Sequence, residues 1–195
     1  MSHNILQIIN EHAEIIDLLK SDSGLLAKIS EISDVIIECF KSGGKLLICG
    51  NGGSAADSQH IATELVSRFF MERKALDAEA LTINASTLTA VSNDYSFDKI
   101  FSRQVEAKGR GGDVLLGIST SGNSKNVIEA IEVAKNIGLK TISFTGERTD
   151  SLMAEKSDFC LLIPSKSTPR IQEAHILIGH IICEIIEKTI FKKGD

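Results

Sequence analysis

Two residues of the chain stand at a spacing that chemistry can use. His60 and Glu64, in Gln-His-Ile-Ala-Thr-Glu, are four residues apart, which on a helix places an imidazole and a carboxylate on one face. Such a pair is a reasonable half of a zinc site, although taken alone it is more often a hydrogen bond along a surface helix. Near the other end, Gln172, Glu173, His175 and His180 punctuate an otherwise apolar run, Ile-Gln-Glu-Ala-His-Ile-Leu-Ile-Gly-His-Ile-Ile. Polar groups on a helix of that composition need partners if they are buried. Gln172 and His180 are eight residues apart, or roughly 12 Å along a helix axis, so they reach one ion only by stretching from either side. Spacing does not choose between His175 and His180. One of them can be a hydrogen-bonded core residue, and His175 suits that role better.

Two loops offer a different chemistry. Gly50-Asn51-Gly52-Gly53-Ser54 and Ser119-Thr120-Ser121-Gly122-Asn123-Ser124 each follow a short β-type run and precede a helical one. At the carboxyl ends of parallel strands, helix N-termini present unpaired N–H groups and partial positive charge to anions. Glycine lets the backbone come close, and hydroxyls add donors with little bulk. Gly50, Gly52 and Ala55 also fit a loose dinucleotide fingerprint. That reading wants an acidic residue for the ribose at the end of the next strand, and the run there ends Thr82-Ile83-Asn84. No Gly-Lys-Ser/Thr follows either loop, so the P-loop pattern is absent as well. A plain tight turn explains the second loop poorly, because hydroxyls at Ser119, Thr120, Ser121 and Ser124 exceed what a turn requires.

The elements that must position these groups follow from periodicity. Runs at 45–49, 80–84, 114–118, 141–144 and 159–163 read as strands separated by helical stretches. Strand and helix in alternation predict an α/β fold, a five-stranded, mainly parallel sheet flanked by helices. A long helix is expected from about Arg170 to Phe191, entered through Thr168-Pro169, since proline suits a first turn. Before the sheet, Ile5, Ile8, Ile9, Ile15, Ile16 and Leu19, then Leu25, Leu26, Ile29, Ile32, Ile36 and Ile37, recur at helical spacing. They predict a helical pair broken near Ser21-Asp22-Ser23-Gly24. The organisation expected is one domain over residues 1–195, with 1–42 an oligomerisation segment and a tetramer the favoured assembly.

Composition sets outer limits. With 195 residues and 43% hydrophobic content the chain can bury one core but not two full-sized ones. A net charge of -5 and a pI near 5.6 argue against nucleic acid or an anionic membrane as partner. Cys39, Cys49, Cys160 and Cys183 sit in apolar contexts without a C-x-x-C spacing and read as reduced core residues. No basic and apolar leader and no run of membrane-spanning length is visible. Together these predict a cytoplasmic protein.

The stretches Gly-Asn-Gly-Gly-Ser-Ala-Ala-Asp-Ser-Gln-His, Ser92-Asn93-Asp94, Asp-Val-Leu-Leu-Gly-Ile-Ser-Thr-Ser-Gly-Asn-Ser and Arg-Ile-Gln-Glu-Ala-His resemble the phosphoheptose isomerases of the sugar isomerase (SIS) superfamily over nearly the whole chain. The resemblance implies one zinc ion per subunit, held by His60, Glu64, Gln172 and His180, and so selects His180 over His175. It implies substrate contacts at Asn51, Gly52, Gly53, Glu64, Asn93, Asp94, Ser119, Thr120, Ser121, Ser124 and Gln172. The implied reaction is the exchange of sedoheptulose 7-phosphate and D-glycero-D-manno-heptose 7-phosphate in ADP-heptose supply. Glu64 is expected to act as base and His180 as acid, with Asp94 in reserve for proton work or for holding hydroxyls. The alternative is a non-catalytic SIS adaptor of the replication-initiator-associating type, which resembles this chain in the loops and the Arg-Ile-Gln-Glu-x-His segment but lacks the full metal and acid/base set. An isomerase for another sugar phosphate is a third reading, because the loops specify phosphate more clearly than sugar length.

Overall fold

The computed structural model describes residues 4–147 and 150–191. Two helices come first, α1 (Ile5–Ser21) and α2 (Ser23–Lys41). Asp22 closes one and caps the other, its carboxylate accepting from Leu25 N at 2.9 Å, so the break falls where the sequence places it. Then follow β1 (Leu46–Gly50), α3 (Gly53–Val66), β2 (Ala78–Ala80), α4 (Ala85–Asp94), a 3-10 turn, α5 (Ser102–Lys108), β3 (Val114–Ser119), α6 (Lys125–Asn136), β4 (Lys140–Gly146), α7 (Leu152–Lys156), β5 (Phe159–Ile163) and α8 (Thr168–Ile190). Among the described residues no helix is long and apolar enough to cross a membrane.

The five strands form one sheet in the order β2-β1-β3-β4-β5, every pair parallel. Every residue of β1 and of β3 is buried, as expected of central parallel strands covered on both faces. Alternate side chains divide between two apolar layers. Leu46, Ile48, Leu116 and Ile118 pack with α1, α2, α3 and α8, while Leu47, Cys49 and Leu115 pack with α5, α6 and Met153 of α7. Because β2 lies on one side of β1 and β3 on the other, the winding reverses between β1 and β3. That reversal opens a crevice at their carboxyl ends, the usual ligand site of such sheets.

Four strands lie where the β-type runs predict them, and one differs. Strand β2 is Ala78–Ala80, not 80–84. Leu81 still donates its N–H to Ile48 O at 2.8 Å. Asn84 then caps α4 by accepting from Thr87 N, which turns the chain out of the sheet at the residues that look most strand-like. The thiols of Cys39, Cys49 and Cys183 are buried, and burial is the main force pushing them up to about 11, 12 and 12, so none is a ready thiolate. Cys160, expected in the core, is only partly buried, near Thr145.

His175 is fully buried on α8 and donates from Nε2 to Thr145 O at 3.3 Å, leaving Nδ1 without a partner. Burial, offset in part by that bond, pulls its pKa from 6.5 down to about 4. The folded protein therefore keeps this ring neutral where the unfolded chain protonates it. Its contribution is complete above pH 6.5 and is lost as the pH falls toward 4, a difference on the order of 3 kcal/mol. Urea unfolding should accordingly show a loss of stability between pH 6.5 and 4 that His175→Gln diminishes; equal slopes for the two proteins would contradict this assignment.

Candidate active site

Helices α3 and α8 run side by side and in the same direction, Gly53 lying against Gln172, Ile61 against Gly179, and Phe69, just past α3, against Glu187. A Cβ on Gly179 would stand 2.8 Å from Ile61 Cδ1, so the absence of a side chain there lets the helices close up. One residue further along, His180 reaches His60. Their Nε2 atoms are 2.8 Å apart, and Glu64 Oε1 lies 3.3 Å from His60 Nε2. The ligating atoms of His60, Glu64 and His180 all fall within 4.8 Å of one another. Two imidazole nitrogens at that distance share a hydrogen bond, one donating to the other, and a widening of about 0.5 Å would let both turn lone pairs to one cation beside the carboxylate. Nitrogen and carboxylate donors in one cluster suit a divalent metal.

The remaining predicted residues fall into separate groups. A Cβ on Gly53 would come within 2.3 Å of Gln172 Nε2, so Gln172 rests directly on the start of α3. Ser119 Oγ is hydrogen-bonded to Ser124 Oγ at 2.8 Å and to Ser121 Oγ at 3.2 Å, and Ser121 Oγ accepts from Asn123 N at 3.2 Å. Thr120 accepts from Gly146 N through its carbonyl. Neither α3 nor α6 has a side-chain cap at its N-terminus, where Gly52 and Ser124 hold the cap positions. The uncapped starts of α3 and α6 and the hydroxyl cluster thus suit an anion at two places by the winding reversal, although Ser54 N and Ala55 N already donate to the Asn51 and Gly52 carbonyls. Asn93 and Asp94 lie exposed at the end of α4, Asn93 Nδ2 donating to Asp94 Oδ1 at 2.8 Å. Among the described residues neither makes a side-chain hydrogen bond to the other site residues.

Three features escape the sequence reading. Asn51 and the buried Asn126 exchange amide hydrogen bonds, each 2.9 Å, so the two loops are joined side chain to side chain. Only the position of Asn126 two residues after Ser124 hints at this. Asp57 shares the His60 face of α3, one turn earlier, with Oδ2 buried and unpaired; burial pushes its carboxyl up to about 6, against the pull of His60. The third is a buried ion pair between Arg73 and Glu187. Burial opposes ionisation of Glu187, but bonds from the Phe70, Phe69 and Met71 amides and from Arg73 outweigh it and hold the carboxyl below its usual range.

The SIS domain family model matches residues 12–146. A phosphoheptose isomerase of Clostridium acetobutylicum is 55% identical over 170 residues, covering 87% of this chain and 86% of the relative. One from Sulfurimonas denitrificans is 48% identical over 194 residues, covering 100% and 99%. The structure of phosphoheptose isomerase GmhA from Neisseria gonorrhoeae superposes with a TM-score of 0.88 at 41% identity, over 94% of this chain and 97% of that one. With its winding reversal, hydroxyl cradle and histidine-carboxylate cluster, this chain belongs to the SIS domain family and, within it, to the phosphoheptose isomerases.

Proposed function

We propose that the protein interconverts sedoheptulose 7-phosphate and D-glycero-D-manno-heptose 7-phosphate, with one zinc ion per subunit, in the cytoplasm, as a step toward ADP-heptose. The observation that carries this reading is the meeting of His60, Glu64 and His180 within 4.8 Å on two helices that flank phosphate-accepting loops. A phosphate adaptor has no use for such a set.

The reaction moves a proton between C1 and C2 through an enediol, and so needs a base at carbon and an acid at oxygen. Glu64 is the group assigned to take the proton from C1 of the ketose and return it to C2. His180 is assigned to protonate the carbonyl oxygen and to take the proton from the neighbouring hydroxyl. His60, Glu64 and His180, joined by Gln172, are the residues that would hold zinc. The chemistry such an ion supplies when bound is Lewis-acid polarisation of the carbonyl and hydroxyl oxygens. Asn51, Gly52 and Gly53 line the first cradle, and Ser119, Thr120, Ser121 and Ser124 bind the phosphate in the second, which fixes the reacting carbons against the acid and base. Asn93 and Asp94, with both polar groups turned to solvent, are assigned to the sugar hydroxyls.

An assembly fits the same reading. Ile5, Leu6, Ile8, Ile9 and Leu18 of α1 and Leu26 of α2 are all about half exposed or more, a larger apolar face than a small soluble chain usually presents. Covering it with further copies of the chain gives a symmetric oligomer, with a tetramer favoured.

Three measurements bear on these assignments. Sedimentation at micromolar concentration should give an oligomer, and a stable monomer would remove the role given to 1–42. Ser121→Ala and Ser124→Ala should raise KM more than they lower kcat, because phosphate is held alike in ground and transition states; unchanged KM in both would count against the second cradle. Glu64→Gln and His180→Asn preserve size and polarity without the proton-transfer group, so kcat should fall by a factor on the order of 10² or more, with lower zinc content. Folded variants with near wild-type turnover would refute the mechanism, and a wild type inert toward heptose phosphate would restore the adaptor reading.

A further inference from the structure

Below the metal cluster lies a knot of buried charge that touches neither cradle. The Arg73 and Glu187 side chains are each only 2% exposed, with Arg73 Nε donating to Glu187 Oε1 at 3.1 Å. Arg73 also donates from Nη2 to Glu64 O at 2.8 Å and from Nη1 to Leu65 O at 2.7 Å. These carbonyls belong to the final turns of α3, which has no basic residue of its own in its last turn. An arginine from beyond the helix therefore serves its terminal carbonyls, that of Leu65 shared with Leu76 N, and the negative end of its dipole. On the other side, Glu187 accepts from Phe69 N at 3.1 Å, Phe70 N at 2.7 Å and Met71 N at 3.1 Å. The Phe69 ring, fixed in this way, lies with its centroid 5.9 Å from that of His180.

The connections form a closed loop. Glu64 is tied through its own carbonyl to Arg73, Arg73 to Glu187, and Glu187 stands seven residues beyond His180 on α8, two turns along the same helix. A buried ion pair is a poor device for stability alone, because desolvation consumes most of its attraction and apolar residues of like volume often serve as well. What it supplies that packing does not is direction: seven hydrogen bonds from Arg73 and to Glu187 with defined geometry, which join the end of α3 and the segment after it to α8.

We propose that the Arg73–Glu187 pair is a positioning device for the active site, setting the last turn of α3 against α8 so that Glu64 and His180 meet in register. This rests on the roles assigned above to Glu64 and His180, and it extends them to two residues that touch no reacting atom.

Arg73→Lys tests it most directly, since lysine keeps the charge that Glu187 faces but cannot fork onto the Glu64 and Leu65 carbonyls. Glu187→Asp, which withdraws the carboxylate by one methylene, makes the same comparison from the other helix. Both should stay folded with KM within about twofold of wild type, while kcat falls and the zinc Kd, read by chelator competition, rises, each by about tenfold, as for other residues that orient metal ligands. In the metal-free proteins, amide exchange at Phe69–Met71 should quicken. The double variant Arg73→Met/Glu187→Leu separates positioning from mere stability: it should recover Tm without recovering kcat or zinc affinity. Wild-type kcat and zinc Kd in either folded single variant, or their return in the double variant, would overturn the proposal. Glu64→Gln is run alongside. If it lowers kcat and the Arg73 and Glu187 variants do not, positioning fails and the site reading stands; if Glu64→Gln is itself fully active, the site reading has failed and the proposal with it.

Discussion

The close approach of α3 to α8 is the constraint on which the active site depends. It is set by a position with no side chain, Gly179, against Ile61, next to the residue that must cross the gap, His180. The His60–Glu64–His180 cluster, the seat of Gln172 on Gly53 and the buried charge beyond the end of α3 are contacts at successive levels of one helix pair. A shift of one helix along the other moves all of them together. The sheet fixes the base of that pair, since the layer beneath it holds Leu46, Ile48, Leu116, Ile118 and Phe144 at negligible exposure, and interiors packed to that density do not yield by fractions of an ångström without cost.

The hydroxyl loop rests on a different principle. Its hydroxyls bond mainly to each other, Ser119 with Ser121 and Ser124, so the cradle is arranged in advance but is not consumed by its own hydrogen bonds, because each hydroxyl can still accept or donate. The Asn51–Asn126 amide pair, in contrast, is directed inward and holds one loop to the other. One set of polar groups fixes the shape of the crevice and another remains available to what enters it.

How much of this the sequence discloses depends on whether the responsible interaction is local. Strand β5 coincides with its apolar run, and the α1–α2 break coincides with Asp22, because capping and alternation are settled within a few residues. The hydroxyl cradle is legible for the same reason. Strand β2 is not: Ala-Glu-Ala carries no strand preference, and pairing with β1 confers the conformation. Arg73 and Glu187 look like ordinary solvent charges in a sequence, and 114 residues separate them. His180 differs from His175 only in which face of one apolar helix it occupies. Spacing leaves that open, and family resemblance names His180; in the fold His60 stands beside His180, while His175 points into the core.

The two halves of the His60–Glu64–His180 cluster come from distant parts of the chain, 120 residues apart. During synthesis His60 and Glu64 leave the ribosome with no partner, and on the order of ten seconds pass before His180 is made. Over that interval only two of the three clustered side chains exist, so the cluster cannot act as a template for the early sheet. The cluster is therefore complete only once the C-terminal helix has docked against α3, so any ligand that needs all three side chains meets a sheet that is already covered.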